Sequence, residues 1–146
     1  MLFSRDLRLT ILIPVEDLSR EKHTFDVITV MEILEHVADM NSLLRSASTL
    51  LKPNGIMILS TVNRTTKSYL LGILAAEYLL RWVPIGTHDW HRFVRPSELA
   101  VCLQQVDLKV FDITGMIYLP LRDDFELRRG MTDVNYLAAA IKADQG

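Results

Sequence analysis

The sequence predicts an α/β fold, and three observations carry it. Apolar runs of strand length recur at residues 25–30, 56–62 and 108–121. Apolar residues at helical spacing lie between them, clearest over residues 39–51 at Met40, Leu43, Leu44, Ala47, Leu50 and Leu51. Breakers punctuate the alternation, above all "KPNG" at residues 52–55. Strands alternating with helices imply a sheet with helices packed against it. The 146 residues suffice for one domain with a real core, so residues 1–146 read as a single domain.

The elements follow in order. Residues 7–18, "LRLTILIPVEDL", contain a β-branched, aliphatic run that ends near Pro14 and reads as a strand. "FDVITV", residues 25–30, is almost wholly apolar after Asp26, as expected of a buried parallel strand. The helix over about 39–51 stops at "KPNG", and residues 56–62 form a second buried strand. Residues 66–82 read as a long apolar helix, and a further helix begins near Pro96 and Ser97. Residues 108–121 are strand-like with an interruption at Gly115. "RDDFELRRG" reads as a loop, and residues 133–143 as the last strand.

Composition excludes several classes. At 49% hydrophobic and 23% charged, the chain is too apolar for disorder. A formal charge of -2 argues against a nucleic-acid partner. A single cysteine, Cys102, allows no internal disulfide or paired-cysteine site and fits a reducing compartment. The amino-terminal run is broken by Pro14 and lacks the small-residue cleavage pattern of a signal peptide.

Chemistry concentrates after the strand at residues 25–30, where ligands gather in open α/β sheets. Glu32, Glu35 and His36 follow at spacings of three and four, which share one face of a helix. Two carboxylates and an imidazole so placed suit a divalent cation. They equally suit a helix's first turn, where carboxylates favour the dipole. His36 also has the chemistry of a general base.

Residues 67–84, "KSYLLGILAAEYLLRWVP", are amphipathic, with Glu77 and Arg81 one turn apart and Tyr78 and Trp82 suited to a water–lipid boundary. The charge-free part is too short to span a bilayer. The helix either lies on a membrane through Tyr69, Leu70, Leu71, Ile73, Leu74, Tyr78, Leu79 and Trp82, or packs on the sheet as a core or lid helix. "GTHDWHRF", residues 86–93, has the composition of a turn, with Thr87 and Asp89 as capping residues. His88 is the residue of this loop placed to stand behind a site and orient it. His23 and Cys102 read as structural.

The motifs "MEILEHV", "STVNRTTKSYL", "AEYLLRWVPIGTHD" and "DVNY", in that order, resemble the S-adenosylmethionine-dependent O-methyltransferases of ubiquinone biosynthesis. The resemblance covers about residues 25–142. It implies a class I methyltransferase, Rossmann-like sheet and methyl transfer to a polyprenylated catechol or demethylubiquinol. It further implies magnesium held by Glu32, Glu35 and His36, cofactor contact at Met31, and membrane contact by a helical insertion at 64–89. In related methyltransferases the loop after the preceding strand lies beside the adenine, so Glu16 or Asp17 either accepts from its amino group or belongs to a solvated acidic loop.

The first glycine is Gly55, so the family's glycine-rich cofactor loop is missing and the chain corresponds to the carboxyl-terminal part of such an enzyme. The implied location is the cytoplasmic face of a bacterial inner membrane or the matrix face of a mitochondrial one, with other quinone-biosynthesis enzymes as partners. The competing reading is a catalytically inactive fragment or membrane-surface binding module of the same fold.

Overall fold

The computed structural model describes residues 18, 23–70, 89–119 and 121–143. The strand expected over 7–18, and with it Glu16 and Asp17, lies outside the described residues except for Leu18. Most of the 64–89 insertion also lies outside them, including Leu71, Ile73, Leu74, Tyr78, Leu79, Trp82 and His88.

Among the described residues, five strands form one mixed sheet in the order β1-β2-β5-β3-β4: β1 (Phe25–Met31), β2 (Leu51–Val62), β3 (Leu108–Leu119), β4 (Asp124–Arg129) and β5 (Asn135–Lys142). β1 and β2 run parallel, joined by the crossover helix α1 (Met40–Leu50), and the other pairs are antiparallel. Asp39 caps α1 by accepting from the Ser42 N–H at 3.1 Å. After the one-turn helix α2 (Thr66–Ser68) and a 3₁₀ turn at Trp90–Arg92, α3 (Pro96–Gln104) starts with proline in its first turn.

The core sits on one side of the sheet. Leu44 and Ala47 of α1 and Leu99 and Leu103 of α3 pack over Val30, Met57, Leu59, Ala138 and Ala140, all nearly excluded from water. These strand residues alternate with partners on the other face, as the period-two geometry of a strand requires.

Four expectations need correction. β1 is parallel as expected but buried on one face only: Val30 is in the core, while Val27 is 52% exposed and Met31 43%, because no described helix covers their face. "KPNG" belongs to β2, its backbone kinked at Asn54 with φ 60°, and helix gives way to strand directly at Leu51. β3 runs unbroken through Gly115. The glycine is needed there because an added Cβ would fall 1.9 Å from the Met131 carbonyl oxygen. "RDDFELRRG" holds a strand, β4, in which Phe125 and Leu127 alternate with charged neighbours. β5 matches its expectation, and so does the start of α3.

Candidate functional site

The carboxyl ends of β1 and β2 lie side by side, with Met31 paired to Ser60. At Glu32 the chain turns sharply, with φ 51°, a left-handed conformation uncommon for a residue with a side chain. Ser60 over-determines it. The Glu32 N–H donates to the Ser60 carbonyl and to Ser60 Oγ, both at 3.1 Å, while Ser60 Oγ donates to Glu32 Oε1 at 2.6 Å. A tight turn follows, with the His36 N–H donating to the Ile33 carbonyl at 2.9 Å.

Helix α1 begins only at Met40, so Glu32, Glu35 and His36 do not share a helical face. Glu35 is 5% exposed, and its Oε2 accepts from Thr61 Oγ1 at 2.7 Å. Ser60 and Thr61 are consecutive strand residues and point to opposite sides of the sheet. Glu32 is therefore held on the open face and Glu35 on the helix-covered face. His36 stands exposed on the turn. Among the described residues, no group of three or more His, Cys, Asp and Glu side chains is arranged to hold a metal ion. The donor set expected for magnesium does not fit.

A cleft of about 260 Å³ opens beside Glu35. The turn forms one wall through Leu34, Glu35 and Val37. Arg64, His91, Phe93 and Glu98 form the other. Arg64 is ion-paired with Glu98 and donates to the His91 carbonyl at 3.2 Å. Glu98 also accepts from the Arg95 N–H at 3.1 Å, which ties the cleft wall to the start of α3. Beneath the wall, buried Tyr136 donates to the Val94 carbonyl at 3.0 Å. Burial, reinforced by the charges of Glu98 and Glu35, pushes the Tyr136 phenol well above its ordinary value, so it stays neutral.

The motifs "STVNRTTKSYL" and "DVNY" fasten to each other at this end of the sheet. Asn63 donates from Nδ2 to the Thr132 carbonyl and from its N–H to the Val134 carbonyl, both at 2.7 Å. Lys67 pairs with Asp133 at 3.1 Å. Arg64, next to Asn63 in the first motif, lines the cleft. Trp90 donates to the Thr65 carbonyl at 3.0 Å, with Tyr69 edge-on to its ring. Asp89 caps the 3₁₀ turn through the His91 N–H at 3.0 Å, the capping role expected of it.

Sequence reasoning missed Ser60, Thr61, Arg64 and Glu98. Their partners lie 26–34 residues away in the chain, beyond the reach of any local pattern. Two hydroxyls closing an apolar strand were the one signal present.

Met31, the described residue expected to touch the cofactor, ends β1 and is about half exposed. The three described glycines have other roles. Gly55 allows close packing at the opposite end of β2, Gly115 the approach of Met131, and Gly130 a turn with φ 75°.

A family model described as a methyltransferase domain matches residues 10–113. Proteins named ubiquinone biosynthesis O-methyltransferase are similar to this chain. The one from Methylocella silvestris is 45% identical over 95% of the chain and 53% of its own length. That from Acinetobacter baylyi is 46% identical over 91% and 56%, and that from Neisseria meningitidis serogroup C 49% over 87% and 53%. The chain thus spans about half the length of the curated relatives it matches.

Among solved structures, a SAM-dependent methyltransferase of Thermotoga maritima aligns with a TM-score of 0.59 at 16% identity, over 83% of this chain and 57% of that one. Magnesium protoporphyrin IX methyltransferase of Synechocystis PCC 6803 aligns at 0.55 and 13%, over 87% and 49%. Both show the fold, a Rossmann-like α/β sheet. The chain belongs to the methyltransferase domain family.

Proposed function

We propose that this chain provides the substrate side of an S-adenosylmethionine-dependent O-methyltransferase acting on a polyprenylated catechol or demethylubiquinol in ubiquinone biosynthesis. The observation that carries the reading is 45–49% identity, over most of the chain, to proteins named for that activity.

The cleft beside Glu35 suits the chemistry. A phenolic hydroxyl has a pKa of about 10 and is a weak nucleophile when neutral. Glu35 lines the cleft with one carboxylate oxygen engaged by Thr61, which fixes the group's orientation. It takes the proton of a ring hydroxyl entering the cleft. S-adenosylmethionine, when bound, supplies an electrophilic sulfonium methyl. His36, the base suggested by sequence, is not among the cleft-lining residues. No step is assigned to magnesium, since the described carboxylates are held on opposite faces.

Membrane contact belongs to the same reading. A polyprenylated substrate resides in the bilayer, and the apolar segment begins with Tyr69 and Leu70, 41% and 50% exposed. No described helix is long and apolar enough to cross a membrane. Peripheral contact, on the cytoplasmic face in a bacterium or the matrix face in a mitochondrion, and neighbouring quinone-biosynthesis enzymes as partners, complete the proposal.

The test is methyl transfer to a demethylubiquinol analogue by this chain combined with a cofactor-binding half. Glu35→Gln should lower kcat by about 100-fold or more, the usual worth of a positioned base. His36→Gln should have a small effect. Undiminished turnover in the Glu35 variant would refute the assignment.

A further inference from the structure

Across the cleft from Glu35 stands a second polar group, the Arg64–Glu98 pair. Between the two the lining is apolar, with Leu34 and Val37 on one wall and Phe93 and Val94 on the other. At about 260 Å³ the cleft is smaller than the ~300–1,000 Å³ usual for a whole small-molecule ligand. It has room for one ring and its substituents, and the apolar lining suits the faces of a ring.

Arg64 is held in place without being used up. It gives one N–H to Glu98 and one to the His91 carbonyl, out of the five that a guanidinium carries. Its side chain is 24% exposed, so part of it stays accessible from the cleft that it lines. Glu98, which also accepts from the Arg95 N–H, fixes where the guanidinium stands. Arg92 lines the cleft too but is exposed on a one-turn helix. Glu98 and Glu35 both add to the burial that raises the Tyr136 pKa, so the two walls act on one common group. The cleft therefore offers a ring one fixed acceptor, Glu35, and one fixed donor, Arg64.

We propose that Arg64 selects the acceptor ring by donating to a ring oxygen that stands beside the hydroxyl to be methylated. The inference rests on the methyl-transfer reading for the chemistry of the ring. Both substrate classes of that reading carry such an oxygen. A catechol has a second hydroxyl there, and a demethylubiquinol a methoxy group. A guanidinium only donates, so a hydroxyl and an ether oxygen serve it alike. A carboxylate in the same role would take the hydroxyl and refuse the ether. One site thus takes both classes and discriminates against a lone phenol, which leaves the Arg64 donor without a ring partner.

The experiment titrates the 146-residue chain with catechol, with its mono-methyl ether guaiacol, and with phenol, following backbone amide and arginine Nε–H signals by NMR. Catechol and guaiacol should bind alike, each about tenfold more tightly than phenol, the worth of one hydrogen bond to a charged group. The Arg64 signal should move with both. Arg64→Gln should shrink the preference to about twofold or less and leave phenol binding as it was. Arg92→Gln should keep the preference.

Guaiacol binding no better than phenol would overturn the proposal in favour of a carboxylate reader such as Glu98, and that comparison needs no variant. A preference that survives Arg64→Gln, or is lost in Arg92→Gln instead, would overturn it, as would the absence of any shift at the cleft with all three rings. The titrations need no cofactor and so stand apart from the catalytic reading. The expected preference with undiminished turnover in Glu35→Gln leaves Arg64 standing and removes Glu35 as the base. Loss of turnover in that variant without any ring preference does the reverse.

Discussion

The phenol of Tyr136 is fully buried and donates to the Val94 carbonyl, linking β5 to the segment that enters α3. Its folded pKa is raised, by burial first and then by Glu98 and Glu35. The linkage has a definite sign. Below the unfolded value of about 10, tyrosine is neutral in both states and stability is intact. Above it the unfolded chain ionises while the native phenol does not, so stability falls as pH rises toward the folded value. Urea titrations between pH 8 and 11 should show that decline, and Tyr136→Phe should flatten it while costing about 1 kcal/mol at neutral pH for the lost hydrogen bond. A variant with the same high-pH loss as the parent would contradict the assignment. At this scale the sequence was a partial guide. The spacing of Glu32, Glu35 and His36 was read correctly, but shared position on a helix did not follow. Ser60 holds Glu32 in a left-handed turn before any helix begins.

Among the elements, α1, α3 and β5 were legible because period and caps agreed: Asp39 before α1, Pro96 at the start of α3, and alternation through "NYLAAAIK". β4 was not, because its four charged residues mask the alternation of Phe125 and Leu127. That pattern is how an edge strand resists pairing with other chains. Gly115 looked like a break and is instead a contact. Gly115→Ala should therefore destabilise by about 1–3 kcal/mol, as overpacking does, lowering Tm by several degrees. Gly130→Ala meets no neighbouring atom and should cost less, only the strain of φ 75°. Thermal unfolding of both variants checks the order. A milder effect at Gly115 would mean that Met131 shifts freely.

At the level of the whole molecule, the described structure is a sheet with one finished face, one open face, and a cleft at the strands' carboxyl ends. The ordered motifs carried the family identity in sequence. Two of them, "STVNRTTKSYL" and "DVNY", are fastened to each other in the fold through Asn63 and the Lys67–Asp133 pair. What no local pattern contained was the pairing of Glu32 and Glu35 with successive hydroxyls on opposite faces. That depends on the register of β1 against β2.

Calorimetric titration of S-adenosylmethionine is the most direct measurement, first into this chain alone and then into its mixture with the cofactor-binding half. Heat of binding only in the mixture, with or without Mg²⁺, is the expected result. Micromolar binding by the chain alone, or binding that requires Mg²⁺ and is lost in both Glu32→Gln and Glu35→Gln, would contradict it.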